Sequence, residues 1–126
     1  IAAEGLEGII ERRDSAVPVS HTLAEAHLLV IPSHNEGLTL TTFEALAAGV
    51  PVISTDVGSQ SDIVPPEALS SRYARSAVRS LFAKMVALSE DEDARRELWE
   101  IERQSEAVLL SHQSANTWFA QEVSQW

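Results

Sequence analysis

The chain has 126 residues, 44% hydrophobic and 22% charged, the composition of a folded domain or part of one rather than of a disordered tail. With 9 Lys+Arg against 19 Asp+Glu, the formal net charge is −10, so the surface is not suited to neutralising a phosphate backbone and nucleic acid is not expected as a partner. Cysteine is absent, which excludes disulfide scaffolds, thiolate metal sites and thiol nucleophiles. No apolar run approaches the roughly 20 residues that span a bilayer, and no export signal is visible, so a cytoplasmic protein is expected, with membrane docking of a longer parent left open.

The chain opens on Ile1 rather than Met, and Ala2-Ala3-Glu4 followed by Gly5 reads as a helix end with a glycine stop; a piece of a larger protein is expected. Gly8-Ile9-Ile10 reads as the start of a short extended run. After a turn containing Pro18, His21–His27 predicts one or two helical turns, with Ser20 or Thr22 as caps. Leu28–Ile31 is a continuous aliphatic run ended by Pro32, as expected for a parallel strand buried on both faces. The polar loop Ser33–Gly37 follows, then a helix signal, Thr41–Ala48, closed by Gly49. Pro51–Thr55 predicts a second buried strand, and Asp56-Val57-Gly58 a turn.

Strand, loop, helix and strand with short connections make a βαβ unit, and hence a right-handed parallel α/β layer. Function in such layers sits at the carboxyl ends of the strands, here the loops Ser33–Leu40 and Thr55–Ile63. Beyond Pro65-Pro66 the pattern turns helical, almost directly. Ala74, Val78, Leu81, Phe82, Met85 and Leu88 form one stripe, Ala94, Leu98, Ile101 and Val108 a second, and Ala115, Trp118, Phe119, Val123 and Trp126 a third, each expected to pack on the sheet or a neighbouring helix. Glu90–Asp93 places four acids at a helix start, where the helix dipole favours them. Residues 1–126 are thus read as a single partial domain, with a βαβ core over 1–64 and a helical part over 65–126. With only about three strands, such a piece is expected to expose a sheet edge and to associate in isolation.

Glu36 and Glu44 stand eight positions apart, one in the loop after a buried strand and one in the first turn of the next helix. Between them the backbone leads into a helix N-terminus, whose unpaired N–H groups and positive dipole end suit a phosphate or diphosphate. Carboxylates beside such an anion site can accept hydrogen bonds from vicinal hydroxyls. The residues alone leave a second reading open. Thr41-Thr42-Phe43-Glu44 is a T-x-x-E capping box, Ser33–Glu36 fits the same template one turn earlier, and Gly37 can serve merely to supply a positive φ.

The stretch PSHNEGLTLTTFEALAAGVPVISTDVGSQSDIV, from Pro32 to Val64, resembles the C-terminal domain of nucleotide-sugar-dependent glycosyltransferases of the GT-B fold, group 1 or family 4 type. There a strand ending in PS is followed by EG(F/L), a short linker, EA(M/L)A, PV(V/I), a (T/S)D turn and (E/D)(I/L)V. The resemblance implies a Rossmann-like parallel sheet with flanking helices, and a donor that is a nucleotide diphosphate sugar. It implies that Glu36 holds hydroxyls of the transferred sugar and Glu44 the ribose. The backbone of Gly37, Leu38, Thr39 and Leu40 would meet the sugar and diphosphate, with Thr41 near the phosphates. It further implies transfer to an acceptor hydroxyl with retention, no bound metal and no cofactor, and an N-terminal Rossmann domain in the same protein that binds the acceptor. The chain departs from the pattern at Thr39, where Gly or Pro is usual, and Arg12 and Arg13 are its only cations before Arg72. The family's diphosphate-neutralising Arg and Lys are expected in a preceding part of the protein, so this piece alone is expected to be inactive. The alternative is a non-catalytic sugar-nucleotide-binding or interaction module that keeps the motif as a fold element.

His21, His27 and His112 lack metal-ligand spacing, and His34 is expected to face solvent. Asp62 is expected to cap a short helix, and Trp99, Trp118, Phe119 and Trp126 to anchor packing. The closing segment NTWFAQEVSQW resembles the helix that crosses back to the N-terminal domain in this fold.

Overall fold

The computed structural model describes residues 4–14, 16–37, 39–112, 117, 123 and 124. The helix expected around Ala2 and Ala3, the Leu38 site and the stripe residues Ala115, Trp118, Phe119 and Trp126 lie outside the described residues.

The elements run α1 (Val19–Ala24), β1 (Leu29–Ile31), α2 (Leu40–Ala47), β2 (Val52–Thr55), a 3₁₀ turn (Gln60–Asp62), β3 (Leu69–Ser70), α3 (Ala74–Glu90) and α4 (Glu92–Ser111). The sheet is parallel with order β1-β2-β3. Leu29, Val30 and Ile31 stand opposite Val52, Ile53 and Ser54, and Ser54 and Thr55 opposite Leu69 and Ser70. This is the Rossmann-like α/β layer that the order of strand and helix signals implies. All four residues of β2 are buried, because the strand has a neighbour on each side and helices packed against it. Its aliphatic residues join Leu46, Ile63, Val64, Leu81 and Leu98 in one core. Among the described residues β1 has no strand on its outer side, and its Leu29 and Val30 are only half-buried.

Several local expectations give way to tertiary context. Gly8-Ile9-Ile10 is not a strand: the Ile9 and Ile10 N–H groups both donate to Leu6 O, closing a turn with one bridge from Glu7 to Ile10, and Ile9 is 79% exposed. α1 starts behind Pro18, with no side-chain cap from Ser20 or Thr22, since Pro at a helix start lacks only an N–H that would be unpaired anyway. The two-residue strand β3 intervenes between Pro66 and α3. The first helical stripe divides: Leu81 is buried and Leu88 packs on the core, but Val78 and Phe82 are 68% and 65% exposed. Glu90 ends α3, and Asp91 caps α4 by accepting from Ala94 N–H at 2.9 Å, with Glu92 and Asp93 in the first turn. Asp62 closes the 3₁₀ turn instead of capping one. Trp99 does anchor packing, its indole N–H donating to Leu46 O at 2.9 Å.

Of the second stripe Leu98 is buried and Ala94 and Ile101 are half-buried, but Val108 is exposed, and the fully buried line along α4 continues from Leu98 to Glu102 and Glu106. The reason lies in β2. Ser54 N–H and Asp56 N–H donate to Ala68 O and Ser70 O on the β3 side, but β3 begins opposite Ser54, so Val52 N–H on that side has no strand to meet. Glu102 supplies the acceptor, Oε2 at 3.0 Å, which satisfies a backbone donor that would otherwise be buried unpaired. The carboxyl is 0% exposed and its Oε1 has no partner. Burial pushes its pKa from an ordinary 4.5 up to about 8, and the Val52 N–H offsets only part of that rise. The folded chain therefore holds this proton more tightly than the unfolded one, and the stability it contributes is complete below pH 4.5 and lost as pH rises through 8. Glu102→Gln keeps an acceptor for Val52 and removes the proton. Its melting temperature should gain on that of the unsubstituted protein as pH is raised from 4.5 to above 8; melting profiles that stay parallel over that range would mean that Glu102 is ionised in the folded state.

Candidate functional site

Three loops leave the carboxyl ends of the three strands, and the chain ties them to one another. Thr55, the last residue of β2, donates its hydroxyl to Ser33 O at 2.5 Å, and the same oxygen lies 3.3 Å from Ile31 O. That fixes the exit of β1. Ser59 N–H, in the loop after β2, donates to Gly37 O at 3.1 Å. Below it the Thr42 hydroxyl and the Gln60 amide, both buried, are paired at 3.0 Å, joining α2 to the same loop.

Gly58 makes this close approach possible. Its φ is +56°, and a Cβ there would lie 2.1 Å from Gly37 O and 2.6 Å from Glu36 O, so only a residue without a side chain lets the two backbones touch. From sequence the glycine reads only as a turn residue; its contact with the Glu36 loop depends on the sheet. Gly37, by contrast, has no left-handed backbone, and a Cβ there would meet nothing within 4 Å. Its expected positive φ is absent, and what it contributes is open space in front of the loop.

Glu36 is exposed, and its Oε1 accepts from Ser33 Oγ at 2.6 Å. The Ser33–Glu36 pair is thus a side-chain contact that orients the carboxylate, not a helix cap. Glu44 is exposed on α2 and has no hydrogen-bond or ion-pair partner among the described residues. The T-x-x-E capping box is not formed, because α2 begins one residue before Thr41: its N-cap is Thr39, with no side-chain cap bond. Thr39 Oγ1 is buried without a partner at that N-terminus. Leu40 is exposed and Thr41 half-buried in the first turn, where N–H groups have no partner within the helix. Glu36, Gly37, Thr39, Leu40, Thr41 and Glu44 thus lie along one loop and helix start at the carboxyl end of the sheet.

His34 is exposed, as expected, yet it is not idle: its Nδ1–H donates to Arg72 O at 3.2 Å, across 38 residues, and draws the loop after β3 beside the Glu36 loop. Arg72 stacks over the Tyr73 ring at 5.8 Å. Arg13 is engaged elsewhere, at 2.9 Å from Glu11 and 2.7 Å from Glu25, and both partners raise its pKa. A cleft of about 540 Å³ lined by His27, Gly49, Pro51, Arg95 and Trp99 sits at the amino end of the strands and shares no residue with the Glu36–Glu44 segment. Among the described residues no group of three His, Asp or Glu is placed to hold a metal ion.

Residues 2–91 match the family model described as glycosyl transferases group 1. The chain belongs to that family. The chain is also 54% identical over 37 residues to the lipopolysaccharide core biosynthesis mannosyltransferase LpsB of Rhizobium meliloti, a match covering 29% of this chain and 10% of LpsB. It is 51% identical over 41 residues, 32% of the chain and 10% of the relative, to TuaC of Bacillus subtilis, named as a teichuronic acid biosynthesis glycosyltransferase. The matched stretches span about a tenth of the length of these curated relatives. Among the described residues no helix is long and apolar enough to cross a membrane.

Because Gly58 holds the Glu36–Gly37 backbone by contact, its replacement reports on the whole loop cluster. Gly58→Ala combines a strained φ with a backbone clash and should cost about 2 kcal/mol or more of stability in urea denaturation. A loss of only a few tenths would mean that the two loops do not touch.

Proposed function

We propose that the chain is part of the donor-binding domain of a retaining, nucleotide-sugar-dependent glycosyltransferase, and that the Glu36–Glu44 segment is its donor site. The observation that carries this reading is Glu44, a solvent-facing carboxylate without a partner among the described residues, one turn into a helix whose capping box is unmade. Freed of a capping role, it is available to accept two hydrogen bonds from the vicinal hydroxyls of a ribose. Glu36, oriented by Ser33 at 2.6 Å, accepts from hydroxyls of the transferred sugar. The backbone donors of Gly37, Leu38, Thr39 and Leu40, with the Thr41 hydroxyl, meet the sugar and the diphosphate at the start of α2.

In the reaction the bond from the anomeric carbon to the diphosphate breaks, and a bond forms from that carbon to the acceptor oxygen on the same face. The electron pair leaves on the diphosphate, whose departing oxygen takes up the proton that the acceptor hydroxyl releases. Charge developing on the diphosphate is met by backbone N–H groups and the helix dipole, and by cations from a preceding part of the protein, without a bound metal or cofactor. The acceptor is held by an N-terminal Rossmann domain of the same protein, which works in the cytoplasm. The segment alone, without those cations, is inactive.

Calorimetric titration of UDP-, GDP- and ADP-sugars into the full-length protein tests the reading. One nucleotide sugar should bind, and Glu44→Ala or Glu36→Ala should weaken it by roughly 1–3 kcal/mol each while leaving the melting temperature within about a degree or two of the parent, as is usual for surface substitutions. If no nucleotide sugar binds, or if both variants bind like the parent but melt earlier, the carboxylates are fold elements of a non-catalytic module.

A further inference from the structure

The chain's charge is not spread evenly. Residues 68–89 carry Arg72, Arg75, Arg79 and Lys84 and no acid at all, in a chain whose net charge is −10. α3 occupies most of this stretch, and its inner face is already used: Ala77 and Leu81 are buried against the sheet, with Lys84 and Leu88 half-buried beside them. At 100° per residue, Arg75, Arg79, Phe82 and Val86 fall on the opposite side, within one narrow strip. All four are exposed, Phe82 by 65%. Val78, 68% exposed, flanks them. Neither Arg75 nor Arg79 forms an ion pair among the described residues, while Arg13, Arg96 and Arg103 do.

A solvated helix face has no need of an outward phenylalanine between two valines, and an apolar contact has no need of unpaired guanidinium groups on the same strip. An interface between water, anionic headgroups and acyl chains satisfies both at once. We propose that the outer face of α3 docks on an anionic phospholipid bilayer, with Phe82, Val78 and Val86 entering the headgroup boundary and Arg75 and Arg79 on lipid phosphates. Nucleic acid would match the cations but leave the apolar strip wet, and the acidic remainder of the chain would oppose its long charged backbone. The bilayer presents its charge as a plane that the −10 chain meets only through this one face, and its attraction fades within a Debye length, about 8 Å at physiological salt. The inference is independent of the donor-site reading, since none of these residues belongs to the Glu36–Glu44 segment.

Vesicle co-sedimentation of the full-length protein tests it, with vesicles of phosphatidylcholine alone and of phosphatidylcholine mixed with phosphatidylglycerol. The parent should sediment with the mixed vesicles and stay in the supernatant with the neutral ones. At about 1 kcal/mol per arginine, Arg75→Ala with Arg79→Ala should lower partitioning roughly thirtyfold. Phe82→Ser should lower it further without altering the melting temperature, because the side chain has little packing to lose, and raised salt should release the parent. Equal partitioning on neutral and anionic vesicles, or partitioning that both substitutions leave unchanged, overturns the proposal. So does a dimer in sedimentation velocity, without vesicles, that Phe82→Ser dissolves, for the strip would then be an interface between copies.

Discussion

The site and its supports depend on one constraint, the complete burial of β2. A strand of four residues with a parallel neighbour on each side must send its backbone donors and acceptors to partners at both ends, because water cannot reach them. At the carboxyl end Ser54 N–H and Asp56 N–H donate to Ala68 O and Ser70 O, the Thr55 side-chain hydroxyl donates to Ser33 O, and the loop after the strand brings Gly58 onto Gly37. At the amino end the partner is Glu102 of α4. The buried strand thus holds the loop that carries Glu36 through its last side chain and fastens the C-terminal helix to the sheet through its first backbone N–H.

Solvent access then separates carboxylates that are chemically alike. Glu102 lies where water is excluded, and desolvation raises its pKa to about 8, so it is a neutral hydrogen-bonding group in the core at neutral pH. Glu36 and Glu44 lie at the open end of the sheet, exposed, where carboxylates can accept hydroxyl donors. Cations divide in a similar way. Arg13 is held by two glutamates, Arg72 is drawn through its backbone carbonyl by His34 to the carboxyl end of the sheet, and Arg75 and Arg79 stand on the outside of α3 without an ion-pair partner among the described residues. A strongly acidic chain thus still presents a local cationic face, which bulk net charge hides.

Much of the fold was legible in local pattern. The runs Leu28–Ile31 and Pro51–Thr55 mark the two strands, although burial on both faces, expected of such runs, holds for β2 and not for the half-buried Leu29 and Val30 of β1; Gly49, with φ of +83°, ends α2 where a glycine stop was expected. The candidate site was legible too, as the spacing of Glu36 and Glu44 within a longer motif, but spacing left a capping role open for both. The position of the α2 start, one residue ahead of Thr41, removes that role for Glu44. It was invisible in sequence because Leu40 and Thr41 are both acceptable first residues of a helix.

What the sequence by itself determined is the order of elements, the parallel layer and the segment that carries the candidate site, since these follow from short-range periodicity and from turn chemistry that each segment holds alone. Only the tertiary structure decided which face of each helix meets the sheet. Amphipathic spacing assigned Val78, Phe82 and Val108 to packing and gave Glu102 and Glu106 no part in it, whereas the chain exposes the first three and buries the last two. The physical reason is that a helix has no preferred face until its neighbours are in place. The unpaired Val52 N–H selects a carboxyl for the core, and the width of a three-stranded sheet limits how much of α3 it can cover.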